Sequence, residues 1–225
     1  MTFLKNHWQL LALTALVFAL WQTPVVVPLK ILVVFFHEFA HAAATWATGG
    51  TVEELSVSAR QGGFVRSRGG NGFIILSAGY LGSLIIGAAL LLIALKTDAD
   101  RLVLGLCGLT MLLVAALYVR EGFGFGFTAG TGAAMVAAAW FLSVPLCDLS
   151  LRLIGLTSLI YAPYDIFDDT IARSGLRSDA FMLAERYFGT TVFWGGLWLV
   201  LSLVVIVLCL RYALGQSSNL SFAKG

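Results

Sequence analysis

The sequence predicts an all-α fold: a polytopic bundle of about six to seven transmembrane helices with a small β-hairpin at the membrane surface. Of the 225 residues, 59% are hydrophobic and only 12% are charged, which is about half the charged fraction of a typical soluble domain. Apolar runs of the length that crosses a bilayer, about 20 residues, recur along the chain. We therefore expect a single integral membrane domain over residues 1–225.

The predicted spans follow these apolar runs. They are Trp8–Val27, Leu29–Thr48, Phe73–Leu95, Leu102–Val119, Phe123–Leu142, the apolar segment that follows Asp148, and Thr190–Leu210. The first run has no small-residue cleavage site after it, so we interpret it as a retained span and not as a signal peptide. Seven spans are expected, with six as the alternative if the fifth or sixth is partial.

Two polar segments interrupt the spans. In residues 49–71, the stretches "TVEELSVSAR" and "GFVRSR" alternate apolar and polar side chains, and "QGG" joins them. This pattern predicts a β-hairpin at the membrane surface. Residues 172–189, "ARSGLRSDAFMLAERYFG", are predicted to form a loop before the last span.

The second span contains the sequence HEFAH at residues 37–41. Residues four apart lie on the same side of a helix, so His37 and His41 can share one metal ion. Glu38 is rotated by about 100° from His37 and can reach a metal-bound water without being a ligand. This HExxH arrangement is typical of two neutral imidazoles on Zn²⁺ with a carboxylate as general base. The alternative is a helix whose polar residues only hydrogen-bond within the bundle, but an ionised acid in mid-span costs about 2.5–3.5 kcal/mol and is usually functional.

A carboxylate is expected as the third ligand, because His7 is predicted to lie at the membrane interface and no other histidine remains. The stretch "YAPYDIFDDTI" offers three acids on one helix face, which cannot all ionise cheaply without a cation. They are Asp165, Asp168 and Asp169. Asp165 is preferred because it follows the break expected at Pro163. For the other two, the alternative is a solvated helix end paired with Arg173 or Arg177.

These motifs resemble the site-2 protease family of intramembrane zinc metallopeptidases. The similarity lies in "FFHEFAHAAATWATGG", in the small-residue stretch "SAGYLGS", and in an aspartate from a later span. The form "YDIFDD" is similar to a compact bacterial and plant branch without a PDZ domain. The resemblance implies Zn²⁺ held by His37, His41 and Asp165, with Glu38 as the catalytic base.

The function expected from this resemblance is hydrolysis of peptide bonds in or near transmembrane segments, as in regulated intramembrane proteolysis. The partners would be a membrane-protein substrate, held as a strand added to the hairpin, and the lipid bilayer of the cell (inner) membrane. A net charge of +2 without a Lys/Arg cluster argues against nucleic acid. Two alternatives are a metal- or proton-coupled transporter and a catalytically silent relative that binds client proteins.

Overall fold

A computed structural model describes residues 2–220 of the chain. Its helices and strands, in chain order, are α1 (Thr2–Ala19), α2 (Val27–Ala47), β1 (Thr51–Val57), β2 (Gly63–Arg68), α3 (Gly72–Lys96), α4 (Asp100–Tyr118), α5 (Gly122–Phe141), α6 (Val144–Phe167), a π-helical turn (Asp168–Ala172) that continues α6, α7 (Asp179–Arg186) and α8 (Thr191–Ala213).

Six helices in residues 2–220 are long and apolar enough to cross a membrane: α2, α3, α4, α5, α6 with its π-turn, and α8. The predicted helical bundle is thereby confirmed, and the protein is a multi-pass membrane protein. The predicted first span, Trp8–Val27, is wrong in its extent, because α1 ends at Ala19 and the chain then turns. Pro28 lies in the first turn of α2, where its fixed φ favours the start of a new helix.

The N-terminal helix α1 is hydrogen-bonded to the segment that follows α8. His7 is only 3% exposed, and its Nδ1 lies 2.8 Å from the hydroxyl of Ser218. Arg152 of α6 is buried, pairs with Asp148 and donates to the carbonyl of Ser218. The imidazole of His7 is therefore not exposed at the surface, as an anchor would be, but buried with Ser218 as its polar partner.

Helices α2, α3 and α6 pack closely because α3 and α6 present glycines at their contacts. A Cβ added at Gly155 of α6 would lie 2.8 Å from the carbonyl oxygen of Gly87. On the other side of α3, a Cβ at Gly82 would overlap the side chain of Ala40. Small residues at such contacts let two backbones approach within a membrane, and α3 can thus lie directly beside the HEFAH turn of α2.

The predicted hairpin is confirmed. Strand β1 pairs antiparallel with β2, with Val57 opposite Gly63 and Ser56 opposite Phe64. The C-terminal half of β1 is buried, whereas most of β2 is exposed or half-buried. Within residues 2–220 the sheet has two strands, so the outer edge of β2 pairs with no other strand.

Candidate metal centre

The HEFAH turn of α2 presents two imidazoles to the same place. Nδ1 of His41 lies 2.7 Å from the carbonyl oxygen of Ile75 in α3. A carbonyl oxygen can only accept, so this nitrogen carries a proton, and when the ring is neutral its Nε2 has a lone pair that can bind a metal. Nε2 of His41 lies 3.0 Å from Nε2 of His37. In metal-binding histidines, the nitrogen that does not bind the metal commonly donates a hydrogen bond, as Nδ1 of His41 does to Ile75, and this fixes the tautomer and orientation of the ring.

Asp179, the first residue of α7, completes a triangle with the two imidazoles. Its Oδ2 lies 3.0 Å from Nε2 of His37 and 3.1 Å from Nε2 of His41. These residues form a cluster whose ligand atoms all lie within 4.8 Å of one another. Tetrahedral zinc with bonds near 2.0–2.1 Å separates its donor atoms by about 3.3 Å. The triangle therefore needs to open only slightly to hold Zn²⁺, and its donor set fits that ion.

The charge of Asp179 depends on its neighbours. The residue is 8% exposed, and burial by itself would raise the pKa of its carboxyl. When His41 is protonated, its charge and the hydrogen bonds that both imidazoles then donate outweigh burial, so the pKa of Asp179 lies well below its ordinary value. Asp179 is thus an ionised carboxylate at neutral pH, the form in which it can bind a metal.

Gly79 of α3 leaves the space that the two imidazoles occupy. A Cβ at this position would lie 2.6 Å from Nε2 of His41 and closer still to Nε2 of His37. The next residue, Tyr80, contacts the ring of His37 edge-on, with 4.5 Å between ring centroids. Helix α3 therefore shapes the centre in two ways: Gly79 leaves room for the two imidazoles, and the ring of Tyr80 packs against His37.

Glu38 lies beside the centre, against the start of β2. Its carboxylate lies so close to the hairpin that a Cβ at Gly63 would be 2.6 Å from Oε1. The side chain is buried, and no residue between 2 and 220 hydrogen-bonds to it. Its carboxylate contributes to the wall of a cavity of about 1060 Å³ that the two histidines, Asp179 and β2 also line. Glu38 is thus available for proton transfer in the space that a substrate would enter.

The three aspartates predicted from "YDIFDD" line the same cavity, but the structure does not bring them into the cluster with the histidines. Asp165 lies near Tyr161 and Asp169. Asp169 accepts from the hydroxyl of Tyr80 at 2.9 Å and from Arg173 at 2.6 Å. Asp168 also accepts from Arg173, at 2.5 Å. The pairing with Arg173 is the alternative that the sequence left open for Asp168 and Asp169.

Sequence reasoning missed Asp179 because residues 172–189 were predicted to be a loop, whereas they contain α7. A local signal existed. Ser178 caps the helix by accepting from the backbone N–H of Phe181, and serine at this position is a common start signal. Ala180 and Leu183 then form a buried stripe three residues apart. Asp179, the first residue of this helix, lies next to its buried face.

A family model described as Peptidase M50B-like matches residues 10–209. The match covers the HEFAH turn, the hairpin and α7 as well as most of the membrane helices. Peptidases of this kind are zinc-dependent metallopeptidases in general. No curated protein and no solved structure matches the chain.

Proposed function

Because the chain belongs to the Peptidase M50B-like family, as the resemblance to site-2 proteases implied, we propose that it is a zinc-dependent endopeptidase acting within the membrane. Its substrates would be peptide bonds in or near transmembrane segments of other membrane proteins. The observation that carries the proposal is the triangle of His37, His41 and Asp179, with Glu38 beside it in one cavity.

In this proposal His37, His41 and Asp179 bind the metal. Zn²⁺, when bound, polarises a carbonyl and lowers the pKa of water. Glu38 has no competing hydrogen-bond partner among the described residues, so it can accept a proton from the attacking water and deliver it to the leaving amine. Asp179 replaces Asp165 as our proposed third ligand, because its oxygen is the carboxylate oxygen that lies about 3 Å from both imidazoles.

The edge of β2 is the proposed docking strand for the substrate. Ser58 donates to the carbonyl of Gly62, and antiparallel ladder bonds recur at every second residue. The backbone of Phe64 therefore pairs with β1, whereas the N–H groups of Gly63 and Val65 point away from it. A substrate made extended can add to this edge as a strand, which would bring its backbone past Glu38.

The alternatives are weaker in this geometry. A proton-coupled transporter distributes its ionisable groups along a pathway, whereas here three ligand atoms converge on one point within 4.8 Å. We propose that the protein lies in the cell membrane. There, a transmembrane helix of the substrate would have to unwind at the bond that is cleaved. A silent client-binding relative remains as an outcome of the test that follows.

The test compares purified wild type with Glu38→Gln on a membrane-protein substrate found in the native host by mass spectrometry of membrane fragments. We expect both forms to hold one zinc ion and only the wild type to cleave, since glutamine keeps the shape and loses the base. Glu185→Gln is the matched control, because Glu185 is an exposed glutamate outside the cavity. Fragments that persist in Glu38→Gln, or zinc-loaded wild type that binds clients without cutting them, would contradict the proposal.

A further inference from the structure

Lys30 is a buried cation in the wall of the cavity that holds the metal centre. It lies seven residues before His37 on α2, and the residue as a whole is 7% exposed. Its Nζ lies 4.3 Å from the centroid of the Trp21 ring. Residues 2–220 place no carboxylate within ion-pair distance of this ammonium. The first turn of α2 contains no acidic residue either.

Among the described residues the ammonium of Lys30 has no anion as a partner, and its other neighbours compensate its charge only in part. The face of Trp21 attracts the cation through its quadrupole. The N-terminus of α2 has the opposite effect, because a helix carries partial positive charge at this end. By contrast, other cavity arginines such as Arg60, Arg177 and Arg186 are exposed to solvent, which screens their charge. Lys30 therefore marks a place in the cavity that lacks one negative charge.

We infer that Lys30 binds a carboxylate of the peptide substrate, so that the enzyme prefers an acidic group near the scissile bond. The inference rests on the proposed peptidase function. Seven residues of helix separate Lys30 from His37 by about 10.5 Å along the axis, and an extended peptide advances about 3.3 Å per residue. The carboxylate should accordingly lie about three residues from the scissile bond. It is either an aspartate or glutamate side chain or the C-terminal carboxylate of the peptide.

Gln22 is a candidate for a second donor, because it follows Trp21 and lines the same cavity as Lys30. An amide N–H and an ammonium together suit the two oxygens of a carboxylate. Asp165 is the cavity acid that could compete for Lys30, but the structure contains no ion pair between them. The substrate can therefore reach the ammonium without displacing an internal partner.

The test uses two peptide series in neutral detergent free of anionic lipid, so that lipid phosphate is not the anion measured. The first series has an amidated C-terminus and a single glutamate, or glutamine in its place, at each position up to four residues on either side of the bond. The second has a free C-terminal carboxylate at the same distances. At one position about three residues away, we expect kcat/KM to be about tenfold or more higher for the carboxylate than for its neutral match. The series that shows this preference identifies the source of the carboxylate.

Lys30→Met should reduce that preference to near one while zinc content stays stoichiometric, and Lys30→Arg should retain part of it. The control is Lys96→Met, because Lys96 also lies over an aromatic ring, 5.4 Å from the centroid of Tyr212, but lies outside the cavity. The control should keep the wild-type preference. A wild type without preference at any position, or a Lys30→Met variant that keeps it, would overturn the inference.

Binding of the same peptides to Glu38→Gln, followed by fluorescence anisotropy, separates this inference from the proposed function. A carboxylate preference in binding that Lys30→Met removes supports the Lys30 site even if no peptide is cut, and the peptidase proposal alone then fails. Cleavage of acidic and neutral peptides at equal rates would instead contradict the carboxylate site at Lys30. It leaves the peptidase proposal standing and removes the carboxylate site.

Discussion

Replacing Gly79 by alanine should destroy the metal centre without contacting the backbone of any ligand. The added Cβ would lie 2.6 Å from Nε2 of His41, whereas ordinary contact begins at 3.4 Å. The imidazole must therefore move by about 0.8 Å, and the required displacement of His37 is larger. Metal–ligand distances tolerate about 0.2 Å. Loss of an outer contact alone already reduces metal affinity by 10–100-fold, so we expect at least about a 100-fold weaker zinc affinity.

The assay is zinc stoichiometry by elemental analysis, with affinity from competition against a chelator, on protein whose folding is checked by its thermal transition. Alanine favours helix by about 1 kcal/mol over glycine, so helix propensity does not account for a loss. Gly196→Ala is a control with no atom within 4 Å of the new Cβ, and Gly82→Ala introduces an overlap with Ala40 in the same helix pair. Both should keep zinc more completely than Gly79→Ala. Wild-type affinity in a folded Gly79→Ala protein would refute the placement of the two imidazoles.

Three further outcomes are expected. Asp179→Asn should weaken zinc binding by at least about 100-fold, because two imidazoles alone hold the ion poorly, whereas Asp165→Asn should retain zinc. The reverse result would mean that Asp165 of α6 is the third ligand. Val65→Pro should abolish cleavage with zinc retained, because it removes an edge donor of β2. Val65→Ala should cleave normally, and Phe64→Pro should also disturb the β1 ladder. Activity in Val65→Pro would show that the strand edge does not bind the substrate. The zinc affinity of the wild type, measured by chelator competition, should weaken as the pH is lowered, since protons compete with the metal for its ligands, and an affinity that does not change with pH would argue against histidine ligation.

The local patterns of the sequence were sufficient for six membrane helices, the hairpin and the HEFAH turn, but not for the predicted first span, Trp8–Val27. Hydropathy over about 20 residues predicts a span, alternation predicts a strand, and the spacing of His37 and His41 on a helix depends only on its period. The family resemblance came from the same local motifs, and the family match agrees with it. Local periodicity was less reliable where a short amphipathic helix, α7, stood in a polar segment.

The sequence by itself therefore determined the class of fold and the placing of His37, Glu38 and His41 on one helical turn, because each follows from residues close together in the chain. Only the tertiary structure decided which acid meets the histidines, since Asp179 lies 142 positions after His37 and reaches it through the packing of α7. Spacing along α6 favoured Asp165, but the distance between two segments that are remote in sequence depends on how the helices pack. The same holds for Lys30: that it has no ionic partner among residues 2–220 is a property of the packed cavity and not of its own helix.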